Sequence, residues 1–292
     1  MKIPIISTGM SGLVGTRVQE LLKERYEFND LSLTNNVDIV DYDSLIKHVE
    51  KSEAKVILHM AAKTDVDACE DDKILGEEGG AWLINVEGTR NIVRAAEKTG
   101  KRVIYISTDF VFDGTQAYYD ENDKPNPVNW YGYTKLKGEE IVLTNGLEST
   151  VLRLAYPYRA SFSGKKDFVR RVIEKMKNHE KVVGLIDHIF TPTFIDDIAE
   201  ALDVFLDKEL PGIYHLVGSQ SLSTYDAMKL IANIFGFKTK IEKSTRSQYF
   251  LDRAFRPFKL ALKNDKIEKL GIYMRRFDEG LKEMKIQLES IL

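Results

Sequence analysis

Three glycines after the first apolar run constrain the possible folds of this chain more than any other sequence feature. The run "KIPIIS" leads into "STGMSGLVGTRV", which places Gly9, Gly12 and Gly15 three residues apart before an amphipathic stretch. Glycines at a strand-to-helix junction allow a tight turn and a close approach to a pyrophosphate, which then lies at the positive end of the helix. A glycine-rich turn without a ligand is the plainer interpretation, but the strand before it and the helix after it favour dinucleotide binding.

Short β-rich apolar runs alternate with longer amphipathic runs through the first half of the chain. Strand patterns at "KIPIIS", "KVILHM" and "RVIYIS" are separated by helix patterns over 13–23 and 82–98. This alternation predicts βαβ units and an α/β fold with a Rossmann-type doubly wound parallel sheet. We expect a dinucleotide-binding domain over 1–160 with a returning segment near 186–218, and a smaller, mostly helical substrate-binding domain over 161–292.

Composition excludes several classes of protein. Of the 292 residues, 43% are hydrophobic and 30% are charged, which indicates an ordinary globular protein. The net charge of -3 gives no electrostatic reason to expect a nucleic-acid or membrane partner. The single cysteine, Cys69, excludes an intramolecular disulfide and a cysteine-based metal cluster, and the histidines show no metal-ligand spacing. Because the start "MKIPIISTGM" shows no signal-peptide pattern, we expect a cytoplasmic protein, and we expect no bound metal.

The stretch "NWYGYTKLKGEE" holds two tyrosines upstream of Lys135, and one of them shares its helical face. Tyr131 lies one turn before Lys135, whereas Tyr133 points almost the opposite way. A phenol beside an ammonium is a potential proton donor with a lowered pKa, although a Tyr-x-x-x-Lys match is weak evidence by itself. Thr108 and Asp109 in "ISTDFVFDG" follow a predicted central strand, at the edge where such sheets bind ligands. Taken alone, Thr108 is better explained as a cap of the strand end.

Together these segments resemble the extended short-chain dehydrogenase/reductase family, and within it the dTDP-4-dehydrorhamnose reductases. The resemblance covers nearly the whole chain and includes "AAKTDVDACE", "NVEGT", "STDFVFDG", "YDENDKPNPVNWYGYTKLKGE", "TPTFIDDIAEAL" and "RPFKLALKNDKIEKLGI". It implies NADP(H) or NAD(H) as cofactor and a catalytic trio of Thr108, Tyr131 and Lys135. The residues that the resemblance assigns to the substrate are Thr64, Thr108, Asp109, Tyr156 and Arg256.

The positions predicted to contact the cofactor belong to the glycine turn or to the family motifs. They are Gly9, Met10, Ser11, Gly12, Leu13, Val14, Gly15, Asp38, Ile39, Ala61, Ala62, Lys63, Asn85, Ser107, Tyr131 and Lys135. Asp38 and Ile39 match the family's adenine-contacting pair, although a solvent-facing acid after a strand is an equal alternative. The second strand, near "NDLSLTNN", offers no obvious carboxylate for the adenosine 2'-hydroxyl and no arginine for a 2'-phosphate, so the sequence leaves NAD and NADP open.

The resemblance implies reduction of a 4-keto-6-deoxy nucleotide sugar, with dTDP-4-dehydro-L-rhamnose to dTDP-L-rhamnose as the leading expectation. Hydride from NAD(P)H would go to C4, while Tyr131 protonates the oxygen and Thr108 hydrogen-bonds to it. Lys135 would bind the nicotinamide ribose and lower the pKa of Tyr131. Relatives that catalyse 4,6-dehydration carry a glutamate where this chain has Phe110, so the elimination lacks its base.

Several positions depart from the family pattern in the segments expected near the substrate. Asp167 replaces the usual asparagine, and His188 and Phe190 replace glutamine and glycine. A carboxylate near a nucleotide diphosphate is unfavourable, so these changes leave the exact nucleotide sugar open. The basic-aromatic segment 246–263 offers Arg256 as a diphosphate clamp, although such runs are more often solvated helix faces.

Two other functions stay open beside a reductase. The family also contains a non-catalytic NADP-binding regulatory subunit of methionine adenosyltransferase, which keeps the scaffold and much of the central segment. A nucleotide-sugar epimerase uses the same trio but must hold its oxidised cofactor tightly. In either enzymatic case we expect a small nucleotide sugar as the binding partner, and a homodimer is one possible assembly.

Overall fold

A computed structural model describes residues 1–144, 146–161, 164–249 and 254–291. The strands are β1 (Ile3–Thr8), β2 (Tyr26–Asp30), β3 (Val56–His59), β4 (Arg102–Thr108), β5 (Thr150–Leu154), β6 (Pro157–Tyr158), β7 (Val182–Leu185), β8 (Ile189–Phe190), β9 (Thr193–Phe194), β10 (Gly212–His215), β11 (Leu222–Ser223) and β12 (Ile241–Ser244). The α-helices are α1 (Leu13–Leu22), α2 (Tyr42–Lys51), α3 (Val66–Asp72), α4 (Gly80–Trp82), α5 (Gly88–Thr99), α6 (Trp130–Leu143), α7 (Phe168–Lys177), α8 (Ile195–Asp207), α9 (Thr224–Phe235), α10 (Arg246–Tyr249), α11 (Asp265–Glu268) and α12 (Phe277–Ile291). Among the described helices, none has the length and apolar composition needed to cross a membrane.

Six parallel strands form the central sheet of the described chain, in the order β10-β5-β4-β3-β1-β2. The order changes direction between β1 and β3, because the chain builds β2 on one side of β1 and then crosses to the other side. This is the Rossmann-type doubly wound arrangement, so the predicted fold class is confirmed. The late strand β10 returns to pair with β5. The division into domains at residue 160 stays a prediction.

Alternate residues of the buried strands pack against helices on opposite faces of the sheet, as the pleat requires. Ile5, Leu58 and Ile104 join one hydrophobic cluster with residues of α1 and α8. Their neighbours Ile6 and Ile57 join a second cluster with residues of α2 and α5. Both faces of the sheet are therefore covered, which leaves the carboxyl edge of its strands as the place for a ligand.

A smaller region follows the first five strands of the sheet. Helices α7, α9 and α12 contribute buried side chains to a third hydrophobic cluster, in which Phe190 and Phe194 lie at the centre of several aromatic contacts. Short strand pairs accompany them: β6 with β9, β7 with β12, and β8 with β11. This region supplies a second wall to the cavity at the sheet edge.

The helix predicted over 82–98 is interrupted near its start. After α4 the chain forms a π-helical turn over Leu83–Glu87 and then continues as α5. A π-turn holds one residue more than the α-helical turn that it replaces, and such turns are frequent at functional sites. Hydrophobic periodicity does not reveal it, because the apolar pattern continues on both sides of the turn.

A buried ion pair joins α6 to the sheet. Arg153 on β5 donates two hydrogen bonds to Glu139 on α6, at 2.9 Å from Nε and 2.7 Å from Nη2. Ser107 on β4 donates to the same carboxylate at 2.5 Å. The charged side chains of Arg153 and Glu139 are 1% and 2% exposed. The pair therefore fixes α6 relative to both β4 and β5.

We expect Arg153→Met to lower the free energy of unfolding by about 3–5 kcal/mol, because it leaves the Glu139 carboxylate buried without its partner. Urea unfolding followed by circular dichroism measures this loss. The control is Lys98→Met, which breaks the exposed ion pair between Lys98 and Glu50 and should leave the unfolding midpoint nearly unchanged. Equal losses in the two variants would show that the buried pair does not hold α6 in place.

Candidate active site

A cavity of about 1120 Å³ opens at the carboxyl edge of the sheet. It extends from the turn after β1, past the ends of β3 and β4, to helices α7 and α9. This position includes the point where the strand order changes direction, at which open α/β sheets bind ligands. The volume exceeds the roughly 300–1000 Å³ of a pocket for one drug-sized molecule. The cavity is therefore large for a single drug-sized ligand.

The glycine turn borders one end of this cavity, and its glycines serve different purposes. Gly9 has a φ of 75°, and a Cβ there would lie 2.6 Å from the backbone nitrogen of Ala61. A Cβ on Gly15 would lie 2.6 Å from the Cα of Met10, so this glycine lets α1 pack against the turn. A Cβ on Gly12 would have the Gly9 oxygen as its nearest neighbour, at 3.1 Å. Gly12 therefore leaves space at the N-terminus of α1, where the helix dipole favours an anion.

Most of the predicted cofactor positions line the cavity. These are Gly9, Ser11, Gly12, Leu13, Val14, Gly15, Asp38, Ile39, Ala61, Ala62, Ser107, Tyr131 and Lys135. In the described chain, Met10, Lys63 and Asn85 do not belong to the lining. Met10 is buried, and its backbone N–H donates to the Asp30 carboxylate at 3.2 Å. These three residues thus support the wall from behind.

Asn85 holds the chain segment that follows β3. Its side-chain oxygen accepts a hydrogen bond from the backbone of Lys63 at 2.8 Å, and its amide donates to the Lys63 carbonyl at 3.1 Å. The same amide donates to Thr134 on α6 at 3.0 Å. The ammonium of Lys63 pairs with Asp72 at 2.5 Å. Since Asn85 belongs to the π-turn, this turn positions the wall over 61–64.

Asp30 is a carboxylate that the sequence reasoning missed. Strand β2 ends at this residue, earlier than the predicted second strand near "NDLSLTNN". In Rossmann folds, an acid about 20 residues after the first glycine of the turn contacts the ribose 2'-hydroxyl. The position of Asp30 relative to Gly9 was the signal that could have identified it. The Asp30 carboxylate accepts from the Met10 backbone, and within the described chain Asp30 is not among the residues that line the cavity, so the choice between NAD and NADP stays open.

Helix α6 presents its two tyrosines to different surroundings. Tyr131 lines the cavity, and its ring meets Phe110 edge-on with 5.7 Å between ring centroids. Tyr133 is 36% exposed and stacks on Trp130 with 5.2 Å between centroids. Tyr131 therefore shares the cavity with Lys135, whereas Tyr133 belongs to an aromatic cluster on the outer side of the helix.

Thr108, Asp109 and Tyr131 all line the cavity. The Thr108 hydroxyl donates to Asp109 Oδ1 at 3.0 Å. Burial raises the pKa of Tyr131 above its ordinary value, and the neighbouring Thr108 hydroxyl has a smaller opposite effect. Burial likewise raises the pKa of Asp109 to about 7. The cavity wall thus contains a carboxyl group whose pKa is raised towards neutral by burial.

Burial dominates the pKa of Lys135. It lowers that pKa to about 7, and the charge of Glu139 opposes the change. The ammonium nitrogen of Lys135 lies 4.0 Å from the centroid of the Tyr105 ring. Burial is also the largest influence on the pKa of Tyr131, which it raises. The expectation that Lys135 lowers the Tyr131 pKa stays a prediction.

The predicted substrate residues Thr64, Thr108, Asp109, Tyr156 and Arg256 all line the cavity. Tyr156 has a φ of 42°, in a region that residues other than glycine seldom adopt. Its hydroxyl lies 2.9 Å from Nε2 of His188, whose Nδ1 lies 3.2 Å from the carbonyl of Pro257. Because a carbonyl can only accept, Nδ1 carries the proton and Nε2 accepts from Tyr156. His188 therefore fixes the direction of the Tyr156 hydroxyl.

Arg256 reaches the cavity but is paired with an acid. Its guanidinium forms two hydrogen bonds of 2.8 Å with the carboxylate of Asp67 at the start of α3. Residues 250–253 of the predicted basic-aromatic segment lie outside the described residues. Arg256 is thus placed where a second anion could replace the carboxylate as its partner.

Sequence reasoning missed four basic residues that line the cavity near α7. They are Lys165, Lys166, Arg171 and Lys175. The available signal was the four-residue spacing of Arg171 and Lys175, which places both on one face of a helix. Asp167 also lines this part of the cavity and caps α7 by accepting from the Arg170 backbone at 2.8 Å. Positive charge predominates among these lining residues. Within the described chain, no group of three histidine, cysteine or acidic side chains is placed to hold a metal ion.

Comparison with known proteins relates the whole chain to one family. The profile of the RmlD substrate binding domain matches residues 1–290. Spore coat polysaccharide biosynthesis protein SpsK of Bacillus subtilis (strain 168) is 31% identical over 283 residues, covering 96% of this chain and 95% of that protein. Methionine adenosyltransferase 2 subunit beta of Pongo abelii is 30% identical over 294 residues, covering 96% and 86%. The crystal structure of dTDP-4-dehydrorhamnose reductase from Bacillus anthracis str. Ames in complex with NADP is 28% identical with a TM-score of 0.89, covering 98% and 100%.

We expect His188→Gln to make stability less sensitive to acid. Burial lowers the folded-state pKa of His188 to about 4, below an unfolded value of about 6.5. As the pH falls from 7 to 5, the unfolded chain gains a proton that the folded chain does not bind. The wild type should therefore lose about 1–2 kcal/mol through His188 over this interval, and the variant should not.

Urea unfolding at the two pH values measures the difference. The other buried histidines contribute equally to both proteins and cancel. The exposed His48 provides a control, because His48→Gln should keep the pH dependence of the wild type. A His188→Gln variant with the wild-type dependence would contradict the burial of a neutral imidazole beside Tyr156.

Proposed function

This chain belongs to the RmlD substrate binding domain family, and from that premise we propose that it reduces a 4-keto-6-deoxy nucleotide sugar with a nicotinamide cofactor. In its most specific form, the proposal is conversion of dTDP-4-dehydro-L-rhamnose to dTDP-L-rhamnose. The observation that carries it is the cavity that holds Tyr131 and Thr108 together with the glycine turn. A positioned proton donor and a dinucleotide turn in one cavity are the requirements of carbonyl reduction.

The residues at the glycine turn fit a nicotinamide dinucleotide. Gly12 leaves space for the pyrophosphate at the start of α1, and Gly9 adopts the positive φ that the turn needs. Lys135 would contact the nicotinamide ribose near Tyr131. The bound reduced nicotinamide would supply the hydride. The relative from Bacillus anthracis was solved with NADP, whereas an acid such as Asp30 is typical of NAD sites, so the proposal includes both NADPH and NADH.

Tyr131 would donate its proton to the sugar oxygen as hydride reaches C4. Its raised pKa keeps the phenol protonated until negative charge develops on that oxygen, which is what a proton donor requires. Thr108 would share this charge by a hydrogen bond. Phe110, which packs against Tyr131, takes the place of the glutamate that removes a proton in the dehydrating relatives. The side chains therefore favour reduction over elimination.

The basic end of the cavity suits the diphosphate of a nucleotide sugar. Arg171 and Lys175 line the cavity from α7, and Arg256 lines it from the segment after α10. A diphosphate would compete with Asp67 for the guanidinium of Arg256, and arginine binds phosphate oxygens in the same bidentate manner. With the diphosphate there, the sugar would lie towards Asp109 and Tyr156.

A second candidate function is a regulatory subunit that binds the cofactor without turnover. The observation in its favour is the likeness to methionine adenosyltransferase 2 subunit beta, which extends over 96% of this chain. Such a protein would keep the glycine turn and the cavity. Turnover therefore separates the two functions, whereas cofactor binding does not.

The decisive assay incubates purified protein with dTDP-4-dehydro-L-rhamnose and either NADPH or NADH, and follows the loss of nicotinamide absorbance. We expect cofactor oxidation that matches the sugar reduced. Tight cofactor binding without oxidation would support the regulatory subunit, and sugar isomerisation without net oxidation would support an epimerase. Either result would overturn the proposed reductase.

Two tyrosine variants test the role of α6 in that assay. Losing a positioned proton donor costs about 10²- to 10⁴-fold in rate, so Tyr131→Phe should lose turnover to this extent. Tyr133→Phe is its matched control and should keep near-wild-type turnover, because Tyr133 stacks outside the cavity. Circular dichroism confirms that each variant is folded. Near-normal turnover of Tyr131→Phe would refute its assignment as the donor.

Gly12→Val tests whether the glycine turn holds the cofactor. The valine side chain would extend from a position that lines the cavity, so we expect cofactor affinity to fall by at least about tenfold. Gly80→Val is the control, because an added Cβ there makes its nearest contact at an ordinary 3.4 Å. Cofactor fluorescence titration gives both affinities. Equal affinities in the two folded variants would exclude the turn as the pyrophosphate site.

A further inference from the structure

We propose that His188 is a positioning residue that makes the Tyr156 oxygen an acceptor for a hydroxyl group of the sugar. This inference rests on the proposed reductase function, in which the sugar lies towards Tyr156, and it names the kind of sugar group that the site selects. A phosphate, carboxylate or keto oxygen can only accept a hydrogen bond, so none of them would pair with Tyr156. The site is thus fitted to a sugar with a free hydroxyl group at this point.

The hydrogen bonds of His188 determine where the proton of Tyr156 points. Nδ1 of His188 lies 3.2 Å from the carbonyl of Pro257, which can only accept, so Nδ1 carries a proton. Burial lowers the pKa of His188 to about 4, so the imidazole is neutral at pH 7 and Nε2 has no proton. The Tyr156 hydroxyl lies 2.9 Å from Nε2 and therefore donates its single proton to His188. The Tyr156 oxygen can still accept.

The ring of Tyr156 is held in place from two other directions. Its backbone has a φ of 42°, and its carbonyl accepts from the Thr193 backbone at 3.2 Å. Its ring meets the buried Phe190 edge-on, with 4.6 Å between ring centroids. A residue keeps such an unusual backbone conformation only where its surroundings enforce it, and residues of this kind cluster at ligand sites. The hydroxyl therefore has little freedom to exchange His188 for another partner.

This hydrogen bond lies in the wall of the cavity, because Tyr156 and His188 both line it. The bond therefore sets the pattern of donors and acceptors that a ligand meets there. A ligand acceptor against the Tyr156 oxygen would bring no proton, and a desolvated polar group without a hydrogen bond costs binding energy. A site built to bond a hydroxyl group discriminates against an analogue that lacks it.

The residue type at position 188 supports this role and supplies a conservative variant. The family pattern has glutamine where this chain has His188. A glutamine amide could donate to Pro257 through its nitrogen and accept from Tyr156 through its oxygen, so it could replace both bonds of the imidazole. Leucine could replace neither bond. The two substitutions therefore separate the hydrogen bonds of His188 from its bulk.

The test measures binding by isothermal titration calorimetry, with dTDP-L-rhamnose, its 2-deoxy-2-fluoro and 3-deoxy-3-fluoro analogues, and dTDP as ligands. Fluorine is similar in size to a hydroxyl group but cannot donate a hydrogen bond. In the wild type, one of the two analogues should bind about 2- to 12-fold more weakly than dTDP-L-rhamnose, which is the range for one neutral hydrogen bond.

Three variants assign this loss of affinity. Tyr156→Phe keeps the ring but has no acceptor, so the loss caused by fluorine should disappear. His188→Leu releases the Tyr156 proton, so the hydroxyl can donate to the fluorine and the loss should shrink. His188→Gln is the matched control and should keep the loss seen in the wild type. All three variants should bind dTDP as the wild type does, because dTDP has no sugar at C4 chemistry or at Tyr156.

Several results would overturn the inference. They are an equal affinity of the wild type for all three sugar ligands, and an unchanged loss in Tyr156→Phe or in His188→Leu shown to be folded by circular dichroism. Weaker binding of dTDP to Tyr156→Phe would assign this tyrosine to the nucleotide and also overturn it. A wild type that shows the expected loss without oxidising cofactor would overturn the reductase alone, whereas one that does not bind dTDP-L-rhamnose would overturn both.

Discussion

Water is almost entirely excluded from the ion pair between Glu139 and Arg153, and helix α6 takes its position from this pair. A buried pair adds little net stability, but breaking it is costly, so its effect is to specify one arrangement. Tyr131 and Lys135 lie on the same helix, and Ser107, which also binds Glu139, directly precedes Thr108. One carboxylate thus holds both halves of the predicted catalytic trio. Close packing of α6 against the segment after β4 completes the arrangement. A Cβ on Gly132 would lie 2.1 Å from the Phe110 carbonyl oxygen, so the lack of a side chain at Gly132 permits this approach.

Charge is distributed unevenly along the cavity. Its floor is formed by buried groups that lose their usual charge: Asp109 and Lys135 both titrate near 7, and burial keeps Tyr131 protonated. Its outer end carries the basic residues of α7. Desolvation at the floor favours proton transfer, because neutral donors and acceptors can exchange protons with little reorganisation. The positive outer end can hold an anionic ligand without disturbing that chemistry.

The sequence predicted those features that depend on local spacing. Alternating apolar runs indicated the doubly wound sheet, and the glycine triplet marked the turn that borders the cavity. The 3.6-residue period placed Tyr131, and not Tyr133, beside Lys135. Features that depend on tertiary packing were not accessible in the same way. The raised pKa of Tyr131 is a result of burial, and burial of one side chain depends on elements distant in the chain.

The features that the sequence did not reveal also depend on tertiary packing. The end of β2 at Asp30 is fixed by pairing with β1, which no local pattern reports. The basic lining from α7 requires knowledge of which helix face meets the sheet edge. The resemblance supplied the remaining site residues, among them Asn85, and the structure adds that Asn85 holds the backbone of Lys63.

The π-helical turn over Leu83–Glu87 has a consequence for how this region can change during evolution or engineering. The extra residue turns Asn85 towards the segment after β3, where it holds both backbone groups of Lys63. Deleting one residue here would restore a regular α-helix and improve its local hydrogen bonding. The same deletion would rotate Asn85 away and leave the wall over 61–64 without this support. Selection for a better helix and selection for a rigid cavity therefore act in opposite directions at this turn.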